Sequence, residues 1–200
     1  NDTPISEPAQ QHLDLVDRGA RDMRVMINDL LDYAQVGQSR TDDIIDLNLV
    51  AVSAMDALNH RITEHGCRIT LHDLPMVRGD RLQLIKLFTH LIDNAITFSR
   101  DGEPPRITLS AEQHGGHWHI HFNDNGMGIE APYHDQVFEV FERLNPNRSR
   151  GTGIGLAISR RIAEHLAGDL SIAKSSPMGT QITLALPVID NLYTNGNQHE

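Results

Sequence analysis

The chain has 200 residues, 39% hydrophobic and 22% charged, with a formal charge of -10 at neutral pH. This composition suits one globular domain with an appendage, and the acidity argues against a nucleic-acid surface, which needs a basic patch. The single cysteine, Cys67, excludes an internal disulfide framework and fits a reducing, cytoplasmic compartment; no apolar run is long enough for a membrane span, and no signal peptide is visible.

Residues 1–9 are polar, contain two prolines and read as disordered or a loop. Leu13, Val16, Ala20, Met23, Ile27, Leu30 and Ala34 then alternate spacings of three and four, the seam of a heptad helix roughly 30 Å long. Met26 and Leu31 widen the seam towards a bundle face, and Asp14, Arg18, Asp22 and Asp32 lie opposite. Such a stripe needs a second helix, and residues upstream supply none. Packing of this helix on the globular body fits the strict heptads less well. Gly37 stops the helix, and residues 38–43 form a polar linker.

The spacing downstream predicts a short strand over Ile44 to Leu47, an amphipathic helix from Leu49 to Glu64, and a strand from Arg68 to Leu71. Asp73 to Val77, with Pro75, reads as a connector. Asp80 is the expected N-cap of a second strong helix reaching Phe98. Its apolar side is Leu84, Ile85, Phe88, Leu91, Ile92, Ala95 and Ile96; its polar line is Gln83, Lys86, His90, Asn94 and Thr97. Asn94 is a poor interior helix residue, and its line reads either as a solvated face or as a metal or phosphate ligand.

Arg106 to Gln113 and His117 to Asn123 alternate about His114-Gly115-Gly116 and predict a β-hairpin. Pro132 to Phe141 is short and partly helical. Asn145 to Thr152 has no apolar residue and reads as a mobile lid. A helix from Gly153 to near Gly168 and a last hairpin, Leu170 to Ala173 with Thr180 to Leu186, complete the body; residues 188–200 are a polar tail. About three helices with five or more mostly antiparallel strands give an α+β fold, a two-layer α/β sandwich with helices on one sheet face.

Two glycine motifs carry the chemistry. Asp124-Asn125-Gly126-Met127-Gly128-Ile129 follows a strand, so a carboxylate at a strand end meets a turn where backbone can approach a flat ligand. Gly151-Thr152-Gly153-Ile154-Gly155-Leu156 opens a helix, whose free N–H groups and positive dipole end suit phosphate. Either motif alone is weak; together they read as a nucleotide site. Arg143, Arg148 and Arg150, between them, are read as facing a polyphosphate.

Residues 44–187 resemble the ATP-binding domain of sensor histidine kinases, in the group that includes gyrase, Hsp90 and MutL ATPases. His90-Leu91-Ile92-Asp93-Asn94-Ala95 is similar to the N box, Asp124 to Ile129 to the G1 box, Phe138 to Leu144 to the F box, and Gly151 to Leu156 to the G2 box; Gly179-Thr180 matches a closing glycine-threonine. Leu74 to Asp80 and Phe141 to Leu144 resemble the phytochrome-like branch, and residues 10–37 look like the second helix of a dimerisation and phosphotransfer hairpin whose first helix is absent. The resemblance implies ATP and Mg²⁺ as cofactors, with Asn94 holding the metal. Asp124 would accept from the adenine amino group, and Thr180 would support that end. Gly126 and Gly128 would let backbone pass base and sugar, while Gly151, Thr152, Gly153, Gly155 and Leu156 would cradle phosphates. Arg143, or an arginine of the lid, would neutralise the transferring phosphoryl group. The implied partners are a response-regulator receiver domain and a second copy of the full-length protein, paired through the helical bundle; neither nucleic acid nor membrane is expected to contact this chain.

Three positions depart from the pattern. His90 stands where the N box starts with Asn, Asp or Glu; as a catalytic residue its imidazole would orient or accept a proton, with different metal chemistry. Thr97 stands where a lysine is common. His12 lacks the surroundings of an acceptor motif, so the phosphoacceptor histidine is expected outside this chain. These departures leave a second reading, a nucleotide-sensing partner-binding module or weak kinase, and a third, a conformational ATPase. His117, His119 and His121 share a strand face with the spacing of metal ligands, but read as a solvent face, and Cys67 reads as core.

Overall fold

The computed structural model describes residues 7–37, 43–144 and 151–189. Expectations for the segments at 1–6, 38–42, 145–150 and 190–200, which hold most of the linker and lid and most of the tail, lie outside the described residues, as do Arg148 and Arg150.

Five strands form the main sheet: β2 (Arg68–Leu71), β4 (Arg106–His114), β5 (His117–Asp124), β6 (Asp169–Ser176) and β7 (Gly179–Pro187), in the order β2-β4-β5-β7-β6. The β2–β4 pair is parallel and the other three are antiparallel. Register sets the faces. Leu109 lies opposite Phe122 and Ala111 opposite Ile120, so the apolar side chains of the hairpin share one face, as their alternation requires. Helices α2 (Leu47–Ala57), α4 (Arg81–Thr97) and α5 (Gly155–His165) cover that face. Phe88 of α4 meets Phe122 edge-on with ring centres 4.8 Å apart, inside a core that includes Leu84, Leu91, Ile92, Ile158 and Leu184. The layers are those expected of the two-layer α+β sandwich.

Three local expectations are corrected. The segment read as a connector contains a strand, β3 (Met76–Gly79), antiparallel to β1 (Asp43–Asp46) in a small second sheet; Val77 is buried, and the partner strand lies thirty or more residues upstream, beyond any local signal. The helix expected from Leu49 to Glu64 starts at Leu47 and breaks at Leu58, which turns into the core before α3 (Asn59–Glu64). Asp46 caps it by accepting from the Asn48 backbone N–H at 2.8 Å, and the Asn48 amide exchanges bonds with the Leu74 backbone, which locks the start of α2 beside β3. The helix expected from Gly153 starts at Gly155, because Gly153 has φ +78°, outside the right-handed helical region.

The first helix, α1, spans Glu7–Gln35, so residues 7–9, expected outside it, are helical, and it ends before Gly37. Its seam stays open, with Leu13, Val16, Met23 and Ile27 all more than half exposed. Other positions touch the body: Asp32 pairs with Lys86, and Arg161 lies over the Tyr33 ring at 4.4 Å. The helix therefore leans on the body through its polar side and keeps its apolar seam outward.

Candidate functional site

A cleft of about 610 Å³ opens between the C-terminal half of α4, the turn after β5, and the start of α5, a volume typical of small-molecule sites. One wall is α4, which turns His90, Asp93, Asn94, Thr97 and the following Phe98 to the cleft. This is the face the sequence marks as a polar line. The helix starts at Asp80, which caps it by accepting from the Leu82 and Gln83 N–H groups at 2.8 and 3.1 Å.

Asp124 sits where β5 ends. Its Oδ1 accepts from the Gly126 N–H at 2.7 Å and from the Thr180 N–H at 3.1 Å, so the second oxygen is the one available to a ligand. Burial raises the carboxyl above its ordinary range, and the two N–H donors pull it partly back. Gly128 lines the cleft with φ +74°, and a Cβ there would lie 2.0 Å from the Ser176 carbonyl oxygen, so the turn closes on β6 only with glycine. Gly126 is placed differently from the rest. It does not line the cleft but braces Asp124 from behind.

Gly151, Thr152, Gly153, Gly155 and Leu156 line the opposite rim beside Glu142, Arg143 and Leu144. A Cβ on Gly153 would lie 2.6 Å from the Glu142 carbonyl oxygen, which is how the glycine run packs against the segment carrying Arg143. Among the described residues no side chain caps the first turn of α5, whose N–H groups point toward the glycine run. The structure thus brings His90, Asn94, Asp124, Gly128, Arg143, Gly151, Thr152, Gly153, Gly155, Leu156 and Thr180 to one cleft.

The His90 ring lies against Gly155, with Nδ1 buried and without a hydrogen-bond partner among the described residues. Burial, and then the charge of Lys86, push its pKa down; Asp29, the Gly155 backbone and Asp93 offset this in part. The imidazole is therefore neutral at pH 7. Cys67 is half-buried and its thiol pushed up by burial, as suits a core residue rather than a nucleophile.

Sequence reasoning missed several cleft residues. Val25 and Asp29 come from α1, and the Thr152 hydroxyl donates to the Asp29 carboxylate across 123 positions of chain. Arg61 comes from α3 and pairs with Asp93. These follow from tertiary packing, which no local spacing encodes. Phe98 and Met127, by contrast, adjoin motif residues and were legible as neighbours. Among the described residues no cluster of three His, Cys, Asp or Glu is arranged to hold a metal ion; His121 on β5 bonds Thr183 at 2.9 Å. No helix among them is long and apolar enough to cross a membrane.

Comparison with known proteins agrees with this geometry. The family model of histidine kinase-, DNA gyrase B- and HSP90-like ATPases matches residues 79–190. The phytochrome-like protein Cph1 of Synechocystis sp. is 30% identical over 186 residues, covering 92% of this chain and 25% of its own length. Cyanobacterial phytochrome A of Nostoc sp. is 33% identical over 186 residues, covering 92% of this chain and 24% of its own. The chain thus spans about a quarter of the length of these curated relatives. Among solved structures, the mycobacterial sensor histidine kinase MprB superposes with a TM-score of 0.62 at 26% identity, covering 73% of this chain and 97% of that one. The matched family, the order of the glycine motifs around Asp124 and the shared architecture lead to one conclusion: the chain belongs to the histidine kinase-, DNA gyrase B- and HSP90-like ATPases, as an ATP-binding catalytic domain of the sensor histidine kinase type.

Proposed function

We propose that this chain binds Mg-ATP in the α4–α5 cleft and donates the γ-phosphoryl group to a histidine outside the chain, for relay to an aspartate on a response-regulator receiver domain. The observation that carries this reading is Asp124, a carboxylate held by two backbone N–H groups at one end of a cleft whose other end gathers glycine backbone and an uncapped helix start. The first suits the adenine amino group and the second a polyphosphate.

In this reading Gly128 lets backbone approach the base, and Thr180 fixes the adenine end. Gly151, Thr152, Gly153, Gly155 and Leu156 surround the phosphates. The site fits a magnesium nucleotide through Asn94, which lines the cleft and whose amide oxygen is a hard ligand; phosphate oxygens and water would supply the other ligands. Bound Mg²⁺ would neutralise phosphate charge. The incoming imidazole nitrogen attacks the γ-phosphorus, the bond to the β–γ bridging oxygen breaks, ADP leaves with that electron pair, and the imidazole proton goes to solvent. Arg143 neutralises charge that develops on the transferring group. His90, whose ring lies against Gly155, orients the G2 segment. In the full-length protein the open seam of α1 pairs with a second bundle helix and joins two copies.

A second reading, a nucleotide-sensing module or weak kinase, is favoured by the neutral His90 at the head of the N box. Calorimetric titration with Mg-ATP, on this chain and on Asp124→Asn, tests the site. Asp124→Asn is expected to lose roughly 10- to 100-fold in affinity, the scale of a hydrogen bond to a charged acceptor. Labelled ATP with a supplied acceptor helix then separates the readings: phosphohistidine supports the kinase, and binding without transfer supports the sensor. Absence of binding by the unaltered chain would sink both.

A further inference from the structure

The described cleft lining carries two fixed positive charges, Arg61 and Arg143, against the carboxylates of Asp29, Asp93, Asp124 and Glu142. A polyphosphate entering such an acidic cleft depends on each cation present. Arg143 sits on the G2 side. Arg61 comes from the other side, from a helix that no nucleotide motif includes.

The break at Leu58 is what brings it there. Because Leu58 turns into the core, α3 sets off afresh and points the Arg61 side chain across to α4. One guanidinium nitrogen pairs with Asp93, and another donates to the Thr97 hydroxyl at 3.1 Å. Asp93 and Thr97 are one turn apart on α4 and flank Asn94. A guanidinium carries five N–H donors in a planar fork, so two contacts orient it and leave donors for an anion. The side chain is about one-third exposed, on the cleft side of α4.

We infer that Arg61 is a phosphate-binding residue of this site, held by Asp93 and Thr97 to face the nucleotide's polyphosphate beside Asn94. It supplies from α3 a positive charge that α4 lacks at Thr97. This assignment rests on the Mg-ATP reading of the cleft and deepens it.

The test is titration calorimetry with two probes, Mg-ADP and adenosine, with circular dichroism to check the fold of each variant. Arg61→Met is expected to weaken Mg-ADP roughly tenfold while adenosine binding stays within about twofold, since adenosine has no phosphate to lose. The loss for Mg-ADP is expected to persist when Asp93→Asn is added, because it does not arise from an unpaired Asp93. Adding Thr97→Lys to Arg61→Met is expected to recover most of the affinity by restoring charge from α4. Unchanged Mg-ADP binding, equal losses for both probes, disappearance of the effect beside Asp93→Asn, or no recovery with Thr97→Lys would each overturn the assignment. If the unaltered chain binds neither probe, the nucleotide reading falls and the assignment with it; if it binds both and Arg61→Met matches it, only the assignment falls.

Discussion

Two buried titratable side chains of the cleft, Asp124 and His90, tie the stability of the fold to pH. The Asp124 carboxylate is buried with a raised pKa, so the folded chain binds its proton more readily than the unfolded chain does. Folding stability from this group therefore falls as pH rises from the ordinary carboxylate range through the raised value, and the penalty is complete once pH has passed it. Asparagine keeps an acceptor for the Gly126 and Thr180 N–H groups without the charge. Asp124→Asn is thus expected to melt slightly higher than the parent without ligand at pH 7, even as it loses nucleotide. A lower melting point would show that the carboxylate stabilises the turn. His90 works in the opposite sense. Its pKa is lowered, so the folded state resists protonation and stability is lost as pH falls from about 6.5 through the lowered value. His90→Gln is expected to flatten that part of the pH–stability curve, read by urea unfolding between pH 7.5 and 5. A curve as steep as the parent's would assign the slope to other groups.

Among the elements, α4 matters most, since it supplies the core through Leu84, Phe88 and Leu91 and the cleft wall through Asp93, Asn94 and Thr97. Its start depends on one carboxylate accepting two N–H bonds. Asp80→Ala is expected to cost about 1 kcal/mol, seen as a lower urea midpoint with an unchanged slope. The folded variant is expected to bind nucleotide normally, because the cap lies more than two turns from Asn94. The first helix behaves differently. It meets the body through Asp29, Asp32 and Tyr33, and its apolar seam faces outward. A helix can do both because seam and polar side occupy different arcs of the same cylinder.

At the scale of the molecule, a ligand that binds only the folded state stabilises it by mass action. Mg-ADP at one hundred times its dissociation constant is expected to add about 2.7 kcal/mol and raise the melting temperature accordingly. Asp124→Asn at the same concentration is expected to show a much smaller rise, despite its higher melting point without ligand. Differential scanning fluorimetry with and without Mg-ADP measures both. Equal shifts for parent and variant would place the nucleotide elsewhere on the molecule.

Features written in short stretches of chain were legible without coordinates. The two-residue period of β4 and β5 set which face meets the core, the Asp80 cap set where α4 begins, and the paired glycine motifs marked a nucleotide site, because each depends on residues within a few positions of one another. Tertiary structure decided what depends on distant segments. The β3 strand exists because β1 is there to pair with it, and Leu58 breaks a helix that local periodicity would continue, because the core accepts its side chain. Gly126 turned out to brace Asp124 rather than line the cleft, and Asp29 and Arg61 entered the site from helices with no motif at all. Their positions are fixed by packing between elements, and packing carries no period in sequence.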